Sequence, residues 1–250
     1  MLQITDHGNV REIRLSHPPA NALNAAMVKQ LTRELKLAGD EADAVVISGL
    51  PGMFSAGLDV PRLLNCDRSK MIRFWKKFIR LLKTIAHMPV PTVFAMTGHA
   101  PAGGIVMAIF GDYRIMPSGN FKTGMNEVQV GLVVPPPVHK ALVRAIGSHN
   151  AERILVAGEI MDAQKAKDIG LVDELAADPE STVNRAIEWC EQHIALPQEA
   201  MLVTRKMARA DLRGYFDSKK GLGVEQFVDI WFSESTHVTL TALVERLTNK

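Results

Sequence analysis

Apolar residues at alternating positions open the chain: Leu2 to Ile4 and Val10 to Leu15 flank a His7-Gly8-Asn9 turn, the pattern of a β-hairpin. Beyond the Pro18-Pro19 break the period lengthens. Met27, Val28, Leu31 and Leu35 lie at near-helical spacing and predict a helix over Ala25 to Leu37. Ala44 to Ser48 then forms a short apolar run that reads as a buried strand. The alternation recurs: an amphipathic helix over Met71 to Met88, a strand over Val90 to Met96, a helix over Gly103 to Gly111 and a strand over Tyr113 to Met116.

Helices alternating with buried strands define an α/β chain with parallel pairing, because parallel strands need crossovers of helical length. Past Pro135, Pro136 and Pro137 the pattern changes. Lys140 to Ile146, Ala151 to Val156, Ala163 to Ile169 and Thr182 to His193 all read as helices with little strand between them. Pro197 to Met207 and Val224 to Leu247 continue as helix, broken near Gly214, Gly221 and Gly223, with Phe227, Ile230, Trp231, Leu240, Leu243 and Leu247 on one stripe. The predicted layout is an α/β core over residues 1–195 and a helical C-terminal region over 196–250.

Composition narrows the functional classes. With 250 residues and 47% hydrophobic content the chain can bury one substantial core. A formal net charge of +2 is no polybasic field, so nucleic acid is not the expected partner, although mild basicity suits an anionic ligand. No stretch reaches membrane-spanning length, and the start lacks the apolar core of a secretory signal. Cys66 and Cys190 stand far apart and no glycosylation pattern follows any Asn, so a cytoplasmic location is expected. The eight histidines show no i,i+4 pair and no carboxylate cluster, so no metal site is expected. Lys76, Lys77, Arg80 and Lys83 read as the solvated face of an amphipathic helix. Trp75 and Trp231 read as core or interface residues.

Three segments combine glycine, small residues and turn chemistry where a strand hands over to a helix, the position that carries sites in α/β folds. The first, Phe54-Ser55-Ala56-Gly57-Leu58-Asp59, follows the buried strand. Small residues there let a ligand approach peptide N–H groups that the next helix leaves unpaired. The second, Gly98-His99-Ala100-Pro101-Ala102-Gly103-Gly104, repeats that arrangement. Taken alone, each is the tight turn that any strand-to-helix link needs. Two at equivalent ends of neighbouring strands could supply two donors to one point, which is how an oxyanion hole is built. Neither is a nucleotide-binding fingerprint. The third, Thr123 to Leu132, sets Glu127 among apolar and amide side chains with no nearby Lys or Arg. A desolvated glutamate without a cation is pushed towards neutrality, as a proton-returning base requires, although a lone glutamate is more often simply exposed.

At these separations and in this order, Phe54 to Asp59, Pro101 to Gly104 and Asn126 to Leu132 resemble the crotonase superfamily, the enoyl-CoA hydratase/isomerase family. The likeness extends through Pro19-Ala20-Asn21-Ala22-Leu23-Asn24, Asp112-Tyr113-Arg114-Ile115 and Ala163 to Asp173, and is greatest towards isomerases of the mitochondrial Δ3,Δ2-enoyl-CoA type. It implies a ββα-repeat core with a helical C-terminal region that covers the active site and builds a homotrimer or a dimer of trimers. It also implies that the N–H groups of Leu58 and Gly103 hold a thioester oxygen while Glu127 is the acid/base. Ala20, Ala22, Ser55 and Ala56 would line the coenzyme A path, with Gly57, Asp59, Ala102 and Asn126 completing the substrate-binding set. Coenzyme A would be part of the acyl-CoA substrate and no separate cofactor is implied.

One departure separates reactions. Hydratases of this family carry a second glutamate three residues beyond the middle glycine of the second turn, where this chain has Val106. Hydration needs two carboxyl groups around one water, whereas moving a double bond needs only one to take and return a proton. The expected activity is therefore isomerisation of 3-enoyl-CoA to 2-enoyl-CoA. Hydration or another crotonase-type reaction is the rival within the fold, and an acyl-CoA-binding protein without turnover is the rival of another class.

Overall fold

The computed structural model describes residues 1–217 and 219–248, with the side chains of 219, 220, 247 and 248 left out, so the predicted place of Leu247 on the apolar stripe lies outside the described residues. Strands β1 (Leu2–His7) and β2 (Val10–Leu15) form the predicted hairpin, paired Leu2 to Leu15 through His7 to Val10. Helix α1 (Ala25–Glu41) starts where Asn24 accepts the N–H groups of Ala26 and Met27, each at 3.0 Å, a cap that contributes about 1 kcal/mol. Strand β3 (Ala44–Ser48) is buried at every position. Short β4 (Gly52–Met53) and α2 (Val60–Leu63) lead into α3 (Arg68–Ala86), whose lysines face solvent as predicted.

The same module repeats. Strand β5 (Thr92–Ala95) is followed by β6 (Gly98–Pro101) and α4 (Gly103–Ala108), then β7 (Tyr113–Pro117) by β8 (Lys122–Gly124). First strands of each pair join one sheet, second strands another. The large sheet runs β1-β2-β3-β5-β7-β10, with β10 at Glu174–Ala176, and every pair after the hairpin is parallel. The small sheet runs β4-β6-β8-β9, with β9 (Ile160–Asp162) antiparallel to β8. This is the ββα-repeat core. Backbones approach closely within it: a methyl group on Gly98 would sit 2.0 Å from the Gly52 carbonyl carbon.

The segment Gly98 to Pro101, expected as part of a turn, is thus a strand, and the turn itself contracts to Ala102. Strands of two to four residues carry too few positions for a period of two to register. The two helices expected between Lys140 and Val156 form one element, α5 (Pro136–Ala157), interrupted at Gly147. After α6 (Ala163–Asp168) and α7 (Pro179–Ile194), residues from Gln198 onward carry no described strand. They form α8 (Gln198–Ala208), α9 (Ala210–Gly214), α10 (Val224–Trp231) and α11 (Glu234–Thr248). Alternate residues of the large sheet face two apolar clusters. Val45 and Ile47 pack with Leu31, Leu35 and Phe78, while Ala44 and Val46 pack beneath Val183, Ala186 and Cys190 of α7.

A buried charge cluster joins the C-terminal helices to this core. Asp112 accepts from Thr92 N–H at 2.7 Å, from Arg205 at 2.7 and 2.9 Å and from Arg209 at 2.8 Å. Arg209 also donates to the Phe110 and Gly111 carbonyls beyond α4, and burial pushes its guanidinium down to about 10 against the pull of Asp112. Removing one partner of such a pair strands a buried charge. Asp112→Ala should therefore lose about 3–5 kcal/mol in urea unfolding. The double change with Arg209→Met should lose less than the sum of the single losses.

Candidate active site

The first turn is built by a residue that the sequence carries inside a longer motif. Asn21, fully buried with φ 48°, donates its Nδ2 to the carbonyls of Met53 and Phe54 at 3.2 and 2.9 Å. Its own carbonyl accepts from Ser55 Oγ at 2.9 Å, and that hydroxyl accepts the Gly57 N–H at 3.2 Å. Residues 20–23 then run beside 56–59: Ala56 N–H donates to Ala20 O, Leu23 N–H to Gly57 O and Asp59 N–H to Leu23 O. Between these bonds the N–H of Leu58 has no acceptor among the described residues. An asparagine that tolerates positive φ beside a proline pair is the sequence signal for this brace.

The second turn follows β6. Ala102 holds φ 48° and ψ −122°, donates its N–H to Gly124 O at 2.8 Å and accepts from Val106 N–H at 3.0 Å as α4 begins. Positive φ in alanine is strained by on the order of 1–2 kcal/mol and persists only where surrounding bonds enforce it. Gly103, first residue of α4, consequently has an N–H with no acceptor among the described residues. The two turns touch through their main chains. A methyl group on Gly57, where φ is +87°, would lie 2.8 Å from Gly103 N. One on Gly103 would lie 3.0 Å from Gly57 Cα and 3.3 Å from the carbonyl carbon bonded to Leu58 N. Two unused donors therefore sit on adjoining backbones.

Glu127 opens a 3-10 turn, Glu127–Val130, that five bonds hold. Gln129 N–H donates to Asn126 O, Gly131 N–H to Val128 O and Leu132 N–H to Glu127 O, at 3.0, 3.2 and 2.8 Å. Gln129 Nε2 reaches Ala157 O of α5 at 3.2 Å, and Thr236 Oγ1 of α11 reaches Gly131 O at 2.7 Å. The residue as a whole is half-buried, but its Oε2 is enclosed and has no hydrogen-bond partner. Burial without a cation raises its pKa to about 7, a backbone hydrogen bond acting weakly in the other direction.

Glu127, Leu58 and Gly103 line one cavity of about 100 Å³, together with Ala56, Ala102, Asn126, Trp75, Val106 and apolar side chains that include Phe227 and Leu243. Among the described residues lining it, Glu127 is the only ionisable one. Of the predicted substrate-binding set, Ala56, Ala102 and Asn126 reach this cavity; Ala20, Ala22, Ser55, Gly57 and Asp59 do not. Ser55 and Gly57 instead shape the first turn, and Asp59 caps α2 through Arg62 N–H at 3.3 Å and pairs with the Arg62 side chain. His99 Nδ1 accepts the Lys122 N–H at 3.0 Å, a bond between the segments of β6 and β8. Among the described residues, no three His, Cys, Asp or Glu side chains converge as a metal site would require.

Two interleaved sheets, a pair of abutting turns with unused N–H groups and one buried carboxyl group define a crotonase-type fold and site. The chain belongs to the enoyl-CoA hydratase/isomerase family, whose model matches residues 5–249. It is 28% identical over 242 residues to mitochondrial enoyl-CoA delta isomerase 1 of Homo sapiens, covering 95% of this chain and 80% of that protein. It is 31% identical over 197 residues to a probable enoyl-CoA hydratase of Mycobacterium avium, covering 76% and 74%. The crystal structure of human mitochondrial Δ3-Δ2-enoyl-CoA isomerase superposes with a TM-score of 0.93 at 27% identity, covering 99% of this chain and 98% of that one.

Two outcomes follow from this geometry. Gly57→Ala places a methyl group against Gly103 N and should lower kcat by about 100-fold or more, the scale of losing one oriented donor, with circular dichroism unchanged. For Glu127, an acid whose folded pKa lies above its unfolded value binds more protons when folded, so stability falls as pH rises from about 4.5 to about 7. Glu127→Gln removes that dependence. Its stability relative to the unmodified protein should improve by about 2–3 kcal/mol between pH 5 and pH 8 in urea titrations.

Proposed function

We propose that this protein is a Δ3,Δ2-enoyl-CoA isomerase, converting 3-enoyl-CoA to 2-enoyl-CoA with Glu127 as its single acid/base. The observation that carries the reading is the lone ionisable side chain among the described cavity residues, with Val106 where hydratases of the family have their second glutamate. The thioester oxygen lies against the N–H groups of Leu58 and Gly103. Glu127, as carboxylate, takes a proton from C2; the electrons of that C–H bond form a dienolate whose negative charge rests on the thioester oxygen. Each oriented donor contributes about 3–4 kcal/mol to holding that charge. The protonated Glu127 returns the proton to C4, which leaves the double bond between C2 and C3 and regenerates the carboxylate. A pKa near 7 suits both halves, since neither protonation state is strongly preferred at neutral pH. The proton removed equals the proton returned and no electrons leave the substrate, so the cycle calls for no separate cofactor.

Coenzyme A is proposed to run along Ala20, Ala22 and Ala56, with the fully buried Ser55 holding the turn beneath them. The assembly proposed is a trimer or a dimer of trimers, built through residues 196–250, whose apolar side chains Leu196, Val203 and Met207 are 47, 53 and 66% exposed. Among the described residues no helix is long and apolar enough to cross a membrane. Cys66 and Cys190 are free thiols, which suits the cytoplasm as the proposed location.

Given 3-hexenoyl-CoA and 2-hexenoyl-CoA separately, the protein should shift the first and leave the second unhydrated. Hydration of the second without a shift of the first would sink the isomerase reading. Glu127→Gln should lose at least 1,000-fold in kcat with thioester affinity largely kept, on the order of the acid/base contribution. The kcat/KM of the unmodified enzyme should rise with pH through about 7, because the carboxylate form is the base.

A further inference from the structure

Among the described residues, five buried side-chain polar atoms lack a hydrogen-bond partner. Three are guanidinium nitrogens, of Arg114, Arg185 and Arg209, in side chains that donate through another nitrogen to a carboxylate or carbonyl. The fourth is Glu127 Oε2, the proposed acid/base. The fifth is Trp75 Nε1, which belongs to neither group. Tryptophan has a single polar atom, a donor, so for Trp75 the whole hydrogen-bonding capacity is unused. Buried polar atoms in that condition are rare, and this one belongs to a side chain that lines the same cavity as Glu127.

Packing holds the indole rigidly. Its ring stacks on Phe227 of α10 with centroids 3.6 Å apart and planes 5° from parallel, and leans on Phe78 at 5.3 Å. Trp75 is 3% exposed, so bulk water does not satisfy its N–H. Phenylalanine would fill nearly the same apolar volume without enclosing an orphan donor. A group that enters the cavity and brings an acceptor would complete the bond, and most other side chains lining the cavity, Val60, Phe78, Val106, Val138 and Leu243 among them, carry no donor.

We propose that Trp75 is a specificity-determining residue whose indole N–H receives a neutral oxygen on the acyl group, so that the substrates preferred here are acyl-CoA thioesters bearing a carbonyl or hydroxyl beyond the reacting carbons. This rests on the reading of the cavity as an acyl-CoA site. An apolar acyl group leaves the donor unmatched, while an oxygenated one satisfies it. A carboxylate tail is disfavoured because it would bring a second negative charge into an enclosed cavity already holding Glu127. A cavity of about 100 Å³ is small beside the roughly 300–1,000 Å³ of sites for drug-sized ligands, which sets the test on six-carbon acyl groups.

The test uses saturated thioesters, which cannot be isomerised: hexanoyl-CoA, 5-oxohexanoyl-CoA, 5-hydroxyhexanoyl-CoA and 6-hydroxyhexanoyl-CoA, with Kd measured by calorimetry. At least one oxygenated thioester should bind about tenfold tighter than hexanoyl-CoA, the scale of one buried hydrogen bond. That ratio should fall to about one in Trp75→Phe. In ¹⁵N-tryptophan spectra of the unmodified protein, one indole resonance should move downfield with the preferred oxygenated ligand and not with hexanoyl-CoA. Equal affinities across the panel, or a preference that survives Trp75→Phe, overturns the assignment. Should that variant fail to fold, the affinities and the indole resonance of the unmodified protein decide by themselves. A protein that discriminates the panel yet leaves 3-hexenoyl-CoA unshifted keeps the Trp75 assignment and loses only the isomerase reading. Absence of affinity for every CoA thioester overturns both.

Discussion

Main chain against main chain, Gly57 and Gly103 meet so closely that a methyl group on Gly57 would lie 2.8 Å from Gly103 N and one on Gly103 would lie 3.0 Å from Gly57 Cα. Much of the molecule can be understood as the means of enforcing that approach. The small sheet brings β4 and β6 into register, with Gly52 opposite Gly98, and β8 fixes the end of β6 through the Ala102 to Gly124 bond. Asn21 and Ser55 close the other side with side-chain bonds to backbone, all away from water. Rigid donors of this kind stabilise developing charge without reorganising, which water cannot do.

The carboxyl group depends on the opposite condition, an absence of partners. Other buried or half-buried acids among the described residues have cations or donors at hand: Asp112 has two arginines, Asp173 has Arg114, and Glu12 has His7, Arg14 and Ser48. Glu127 has no cation and no side-chain donor, and its Oε2 has no partner at all. Desolvation then acts almost unopposed and lifts its pKa. A nearby lysine would have lowered it again, and with it the readiness to return a proton.

Helices beyond residue 197 reach the site from outside the sheets. Thr236 of α11 fastens the turn that carries Glu127, Phe227 of α10 stacks on Trp75, and Leu243 adds to the cavity wall. Arg205 and Arg209 anchor the start of this region to Asp112. The C-terminal region is thereby bound to the core both at a charged cluster and at the cavity.

Periodicity made the larger elements legible: β1, β2 and β3, helices α1, α3 and α7 and the helical C-terminal part all follow from spacing of apolar residues. The three segments around Gly57, Gly103 and Glu127 were legible too, because residue type and order alone carry them, whereas Val106 stood out only through the family resemblance. Strands β4, β6 and β8 were not, since two to four residues are extended only when a partner strand pairs with them. Nor was the split among the small residues, with Ala56 at the cavity and Ser55 turned into the framework. Sequence by itself determined which chemical groups were available and the local periods that fold them. Tertiary structure alone decided which of them are deprived of water and of partners, because enclosure of Glu127 and Trp75 is produced by chain segments far removed in sequence, and desolvation is a property of the assembled surroundings.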